Sequence, residues 1–225
     1  MREPLETNKV YHVFSRSIAE YKIFLEKFHF LRMKNLLKYY AQLNPPLRFS
    51  YFLRMENKKN KRAKEIYEKL ETNKQRVNIV AYCIMPTHIH LIIKQLEEKG
   101  ISSFINDVFN SYTRFFNIKH KRRGPLWDKR FQHVLVESDE QLLHLTRYIH
   151  LNPVTAYLTD KPESWDFSSY REYISCEKDK ICQFDNLLEV EPNSYKKFVK
   201  DRISFQRELA NIKRLTLEDS QYHTA

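Results

Sequence analysis

The sequence predicts an α+β fold in which an antiparallel sheet carries helices mainly on one face. Segments of strand and helix character follow each other as strand, helix, two strands, helix, strand, helix. The two most aliphatic segments, 77–84 and 88–94, are separated only by Met85-Pro86-Thr87, which reads as a hairpin near the centre of a sheet. The longest remaining segments carry apolar residues at helical spacing.

Taken in order, KVYHVFSRS at 9–17 alternates weakly and is the first strand. Tyr21 to Leu43 lacks Gly and Pro, has Phe24, Phe28, Leu31, Leu36 and Leu37 along it, and reads as one long helix that stops at Asn44-Pro45-Pro46. Residues 56–76 are highly charged and read as a basic loop running into a short solvated helix, within an insertion spanning about 44–76. After the hairpin, residues 101, 104, 105, 108, 112 and 115 form an apolar stripe on a helix from Ile101 to about Ile118. A basic turn with Trp127 embedded in it leads to a strand at Phe131 to Glu137. Ser138-Asp139-Glu140-Gln141 fits a capping box, so a helix starts at Asp139 and runs to about Asn152, where Pro153 ends or kinks it. Residues 1–175 are read as one domain and 176–225 as a helical tail with an amphipathic stretch from Tyr195 to Leu215.

Composition narrows the function. The chain has 225 residues, and 39 Lys and Arg against 28 Asp and Glu leave a net charge of +11, which favours a polyanionic partner, nucleic acid first. Only two glycines occur, Gly100 and Gly124, neither in a glycine-rich loop, so the Walker and dinucleotide phosphate cradles are excluded. Cys83, Cys176 and Cys182 make neither an even disulfide framework nor a CxxC pair and are expected to be reduced. No signal-like or membrane-spanning apolar run is visible, and a cytoplasmic, nucleoid-associated protein is expected.

The stretch YCIMPTHIHLII at 82–93 carries the chemistry. Alternation sends His88 and His90 to one face of a strand while Ile89, Leu91 and Ile93 fill the core behind it. Spacing alone leaves two readings open, packed core histidines or two ligands of one divalent cation. On the last helix, Gln141, His144, Tyr148 and Asn152 line a polar stripe beside the apolar Leu142, Leu145 and Ile149, so Tyr148 and Asn152 are neighbours one turn apart. A tyrosine can attack phosphorus covalently, and an amide oxygen suits a hard cation.

MPTHIH at 85–90 and RYIHLNPV at 147–154, in that order, resemble the HUH motif and the tyrosine helix of HUH single-tyrosine transposases, in particular the REP-associated tyrosine transposases of the IS200-like group. GPLWDKRF at 124–131 and WDFSSY at 165–170 extend the similarity over most of 9–172. The resemblance implies a ferredoxin-like or RRM-like sheet with the tyrosine helix over it. It implies Tyr148 as nucleophile, and His88, His90 and Asn152 as ligands of Mg²⁺ or Mn²⁺. The activity it implies is the cutting and rejoining of single-stranded, hairpin-bearing DNA through a 5'-phosphotyrosine, by a homodimer or a monomer. Thr87 stands where relatives commonly have Asn, which bears on how the histidines are supported.

Lys121, Arg122, Arg123, Lys129 and Arg130, with Trp127 among them, combine phosphate-pairing cations with a stacking ring and are the expected DNA contacts. Tyr112 is the second choice of nucleophile, though its place in an apolar stripe marks it as core. His144 reads as a surface histidine able to reach the site. A non-catalytic nucleic-acid-binding protein and a metal nuclease using water are the rival readings.

Overall fold

The computed structural model describes residues 4–57, 61, 64–66, 68, 74–175 and 180–210. The chain is α+β: a four-stranded antiparallel sheet of β1 (Val10–Arg16), β2 (Val77–Ile84), β3 (His88–Gln95) and β4 (Gln132–Leu135), in the order β2-β3-β1-β4. With α1 (Lys27–Tyr40) between β1 and β2 and α3 (Gly100–Lys119) between β3 and β4, this is the ferredoxin-like βαββαβ topology. An additional helix, α2 (Phe49–Asn57), follows α1. Then come α4 (Asp139–Thr155), α5 (Tyr170–Ile174) and α6 (Pro192–Lys200).

The register divides the sheet's residues between its faces. Tyr11 opposite Ile93, Val13 opposite Leu91 and Ser15 opposite Ile89 point one way, toward the core beneath α1 and α3. His12 opposite Ile92, Phe14 opposite His90 and Arg16 opposite His88 point the other way. Cys83, opposite His90 on β2, shares the histidine face. That face is not wholly open, because α4 packs across β2. The free edge of β2 is covered as well: Ile84 N–H donates to Phe167 O and Ser169 N–H to Tyr82 O, so that 167–169 runs alongside the strand.

Several elements differ from the sequence reading, each for a tertiary reason. The first helix begins at Lys27 rather than near Tyr21. The N–H groups of Ile23 and Phe24 both donate to Pro86 O, at 2.9 and 3.1 Å, which holds the preceding segment extended against the hairpin turn. The helix then starts in a capping box between Glu26 and His29. α2 lies inside the region read as a charged insertion and buries Phe49 and Phe52 against Tyr39, so this part is core. Ile66 is also buried, in a segment read as a solvated helix; much of the charged run from 58 to 73 lies outside the described residues.

Ser138 and Gln141 do cap α4: Gln141 N–H donates to Ser138 Oγ, and Gln141 Oε1 accepts from Glu137 N–H. Pro153 does not end α4, which runs on to Thr155 with Ala156 N–H closing on Asn152 O. The amphipathic stretch read from Tyr195 is two helical segments, α6 and residues 203–210, parted by a turn at Asp201 and Arg202. Cys83 and Cys182 are buried free thiols, and Cys176 lies outside the described residues. Among the described residues no helix is long and apolar enough to cross a membrane.

Candidate active site

The site forms where β3, β1 and α4 meet. The His88 and His90 rings stand perpendicular with centroids 5.1 Å apart, closer than the two-residue strand repeat of about 7 Å. Each ring has its Nδ1 engaged. His88 Nδ1 lies 2.9 Å from Thr87 Oγ1, and His90 Nδ1 lies 3.0 Å from His12 Nε2. In both rings Nε2 is the atom left for a ligand. Thr87 is itself anchored, because its carbonyl accepts from Ser17 N–H at the end of β1.

Burial keeps these imidazoles neutral. It lowers His88 to about 4, with Arg16 adding to the shift and Glu20 opposing it. His12 is lowered to about 4 by burial alone. His90 falls well below its ordinary value through burial first, then through His88, His12 and Arg16. Neutral imidazole is the metal-binding form, so the pair is ready to ligate without releasing protons at neutral pH.

Tyr148 comes to this place from α4. Its ring meets His90 edge to face at 6.0 Å, and the side chain stays 41% exposed. Partial burial, with Cys83 beneath it, raises the phenol's pKa. One turn on, Asn152 is buried, and its Nδ2 has no hydrogen-bond partner among the described residues. An amide's two ends are interchangeable by rotation, so this orphaned atom marks a position where amide nitrogen or oxygen awaits a partner. Among the described residues no three His, Cys, Asp or Glu side chains cluster as a metal site. By donor chemistry alone, neutral imidazole nitrogens and an amide oxygen suit a divalent cation.

The neighbouring histidines on α4 have other tasks. His144 pairs with Arg147 at 2.8 Å and lies edge-on to Phe198 of α6, so it is turned toward the C-terminal helix. His150 is fully buried between Tyr195 Oη and Ser169 Oγ, both at 2.7 Å. Tyr112 is fully buried and donates its hydroxyl to Ile23 O at 2.7 Å, which removes it as a nucleophile.

The basic segment divides. Lys129 and Arg130 line a groove with Phe14 and Arg16, beside the histidine face. Lys121 and Arg123 line a separate depression at the end of α3. Arg122 is occupied in holding its own turn, with Nη2 donating to Pro125 O at 2.7 Å and Nη1 to Asn117 Oδ1 at 3.0 Å. Trp127 is not the stacking platform expected of it: the ring lies flat on Phe109 at 4.0 Å and packs near Phe24 and Tyr112. The sequence reading missed His12 and Arg16. Both were signalled by their strand parity, since β1 pairs with β3 and its even-numbered residues share the histidine face.

The family model described as "Transposase IS200 like" matches residues 47–152, which include His88, His90, Tyr148 and Asn152. A protein of Haemophilus influenzae assigned as a REP-associated tyrosine transposase is 29% identical over 109 residues, 44% of this chain; the match spans 61% of that relative's length. Among solved structures, that of a REP-associated tyrosine transposase bound to a REP hairpin superposes with a TM-score of 0.54 at 13% identity. The superposition covers 85% of this chain and 98% of the other, a likeness of fold.

Proposed function

We propose, from the premise that the chain belongs to the IS200-like transposase family, that it nicks and rejoins single-stranded DNA bearing a hairpin, through a covalent tyrosine link. The observation that carries this reading is the meeting of Tyr148 with His90, residues far apart in sequence, on one face of the sheet. The solved relative's REP hairpin and this chain's charge of +11 support DNA as substrate.

Tyr148 Oη attacks the scissile phosphorus; the new bond joins Oη to phosphorus, the bond to the 3'-oxygen breaks, and that oxygen takes up a proton. A DNA 3'-hydroxyl reverses the step and reseals the strand, so the phosphodiester's energy is conserved and no nucleotide cofactor is required. His88, His90 and Asn152 would hold Mg²⁺ or Mn²⁺, which supplies Lewis-acid polarisation of the phosphate oxygens and offsets the weak nucleophilicity of a protonated phenol. Burial first, and Cys83 second, raise the pKa of Tyr148, so its phenol is protonated at neutral pH. Thr87 and His12 fix the ring orientations of His88 and His90 through Nδ1. Arg16, Lys129 and Arg130 line the groove beside the site, where a DNA backbone would run.

The test is to incubate the wild-type chain and Tyr148→Phe with hairpin-bearing single-stranded DNA and Mn²⁺, and to resolve the products on a denaturing gel. The wild type is expected to yield a protein–DNA adduct and the Phe variant none. Absence of adduct from the wild type on every hairpin tried sinks the reading in favour of a binding protein. Cleavage that survives in the Phe variant assigns the attack to water.

A further inference from the structure

Away from the histidine face, α1, α2 and α3 enclose a groove of about 720 Å³. Arg32, Arg48, Arg54, Arg114 and Lys119 line it. Asp107, the one carboxylate among its described lining residues, is held at 2.6 Å by Arg76 and cancels little of this charge. Rings lie among the cations: the Arg54 guanidinium sits 5.7 Å over Tyr51, and that of Arg32 sits 4.5 Å over Phe49 and 5.0 Å over Phe115. Arg32 Nε is buried with no hydrogen-bond partner among the described residues. On the rim, Tyr51 is 52% exposed and Ile118 is 74% exposed. Arg114 and Ile118 also line the depression that holds Lys121 and Arg123, so the basic surface continues along α3.

We propose that this groove binds single-stranded DNA, with bases against Tyr51 and the apolar rim and phosphates on the arginines. Cations interleaved with exposed rings are what a single strand requires, because each unpaired base offers a face for stacking. A duplex would present only its backbone here and leave Tyr51 and Ile118 against phosphate. α3 from Asp107 to Lys119 is about 18 Å long, enough for several nucleotides. The choice of DNA as the nucleic acid rests on the function proposed above. A strand held in this groove would tether the molecule to the DNA flanking the segment being cut on the other face.

Fluorescence anisotropy of the full chain, with labelled oligo-dT, a blunt duplex of equal length and oligo-rU, tests this. Tyr51, Arg54 and Arg114 are exposed, so their substitution leaves the core intact. Tyr51→Ala is expected to weaken oligo-dT binding about tenfold without altering its salt dependence. The double variant Arg54→Glu, Arg114→Glu is expected to weaken it at least about tenfold and to lower the salt slope by about two phosphate contacts. The inference is overturned if the wild type does not bind oligo-dT, if either variant binds it within about twofold of wild type, or if the duplex or oligo-rU binds more tightly. The adduct assay reads the other face. Loss of oligo-dT binding in these variants with no adduct from the wild type would retain the groove and remove the proposed catalysis; an adduct with unchanged binding would do the reverse.

Discussion

His12 is where a single residue decides how the site is poised. Its Nε2 meets His90 Nδ1 at 3.0 Å and its ring stacks on His90 at 5.3 Å, so it holds the plane of that imidazole and occupies its outer nitrogen. A ligand whose outer nitrogen loses its partner typically loses about 10- to 100-fold in metal affinity. His12→Phe, which keeps the stacking ring but not the hydrogen bond, is therefore expected to weaken Mn²⁺ binding by about that factor, measured by isothermal titration on the DNA-free protein. His12→Gln, which can still reach Nδ1, should recover much of the loss. Unchanged Mn²⁺ affinity in the Phe variant would reduce His12 to packing. That His88 and His90 share one sheet face, and Tyr148 and Asn152 one side of a helix, was legible because strand parity and helical turns fix which way a residue points; the roles proposed for them came from the resemblance of the two motifs to HUH transposases. Trp127 was misread because a Trp in a basic run looks alike in sequence whether it faces solvent or, as here, lies on Phe109.

At the scale of elements, the hairpin, α3 and the cap of α4 were legible because their signals are local: alternation, a helical stripe, a Ser-to-Gln spacing. The start of α1 was not, because it is set by two hydrogen bonds to Pro86 O from residues that would otherwise continue the helix. Gly100 shows a similar long-range demand. A Cβ placed there would lie 2.4 Å from Arg76 O, a carbonyl already accepting from the N–H groups of Leu96 and Glu97. That residue also ties three elements together, its guanidinium donating to Tyr40 O and to Asp107 of α3. Because the obstacle is backbone, Gly100→Ala must displace either α3 or the entry to β2. It is expected to cost about 1–3 kcal/mol in urea denaturation while leaving the histidine face intact. A variant as stable as wild type would mean that the approach relaxes without strain.

Across the whole molecule, the sheet and the C-terminal segments are joined by a buried polar chain that no sequence pattern announces. His150 on α4 lies between Ser169 Oγ and Tyr195 Oη. Ser169 in turn contacts the Tyr82 backbone of β2, and Tyr195 donates to Thr146. The sequence segments involved are remote from one another, and their hydroxyls look like ordinary surface groups until the fold brings them together. Burial lowers the pKa of His150 from 6.5 to about 3, so the folded state holds it neutral where the unfolded chain would protonate it. Its contribution to stability is present in full above the unfolded value and is lost as pH falls from about 6.5 toward 3, because only the unfolded state takes up the proton in that window. The slope from this one group is about 1.4 kcal/mol per pH unit. The half-buried His12 and His88 add to it with the same sign, so the wild type should lose stability steeply on mild acidification. In His150→Gln, whose amide can bond both hydroxyls without titrating, the urea midpoint at neutral pH should drop modestly, and the acid slope should flatten by one proton's share. If the variant's stability falls between pH 6 and 4 as steeply as the wild type's, the acid sensitivity belongs to the other histidines and not to the junction between α4 and the C-terminal segment.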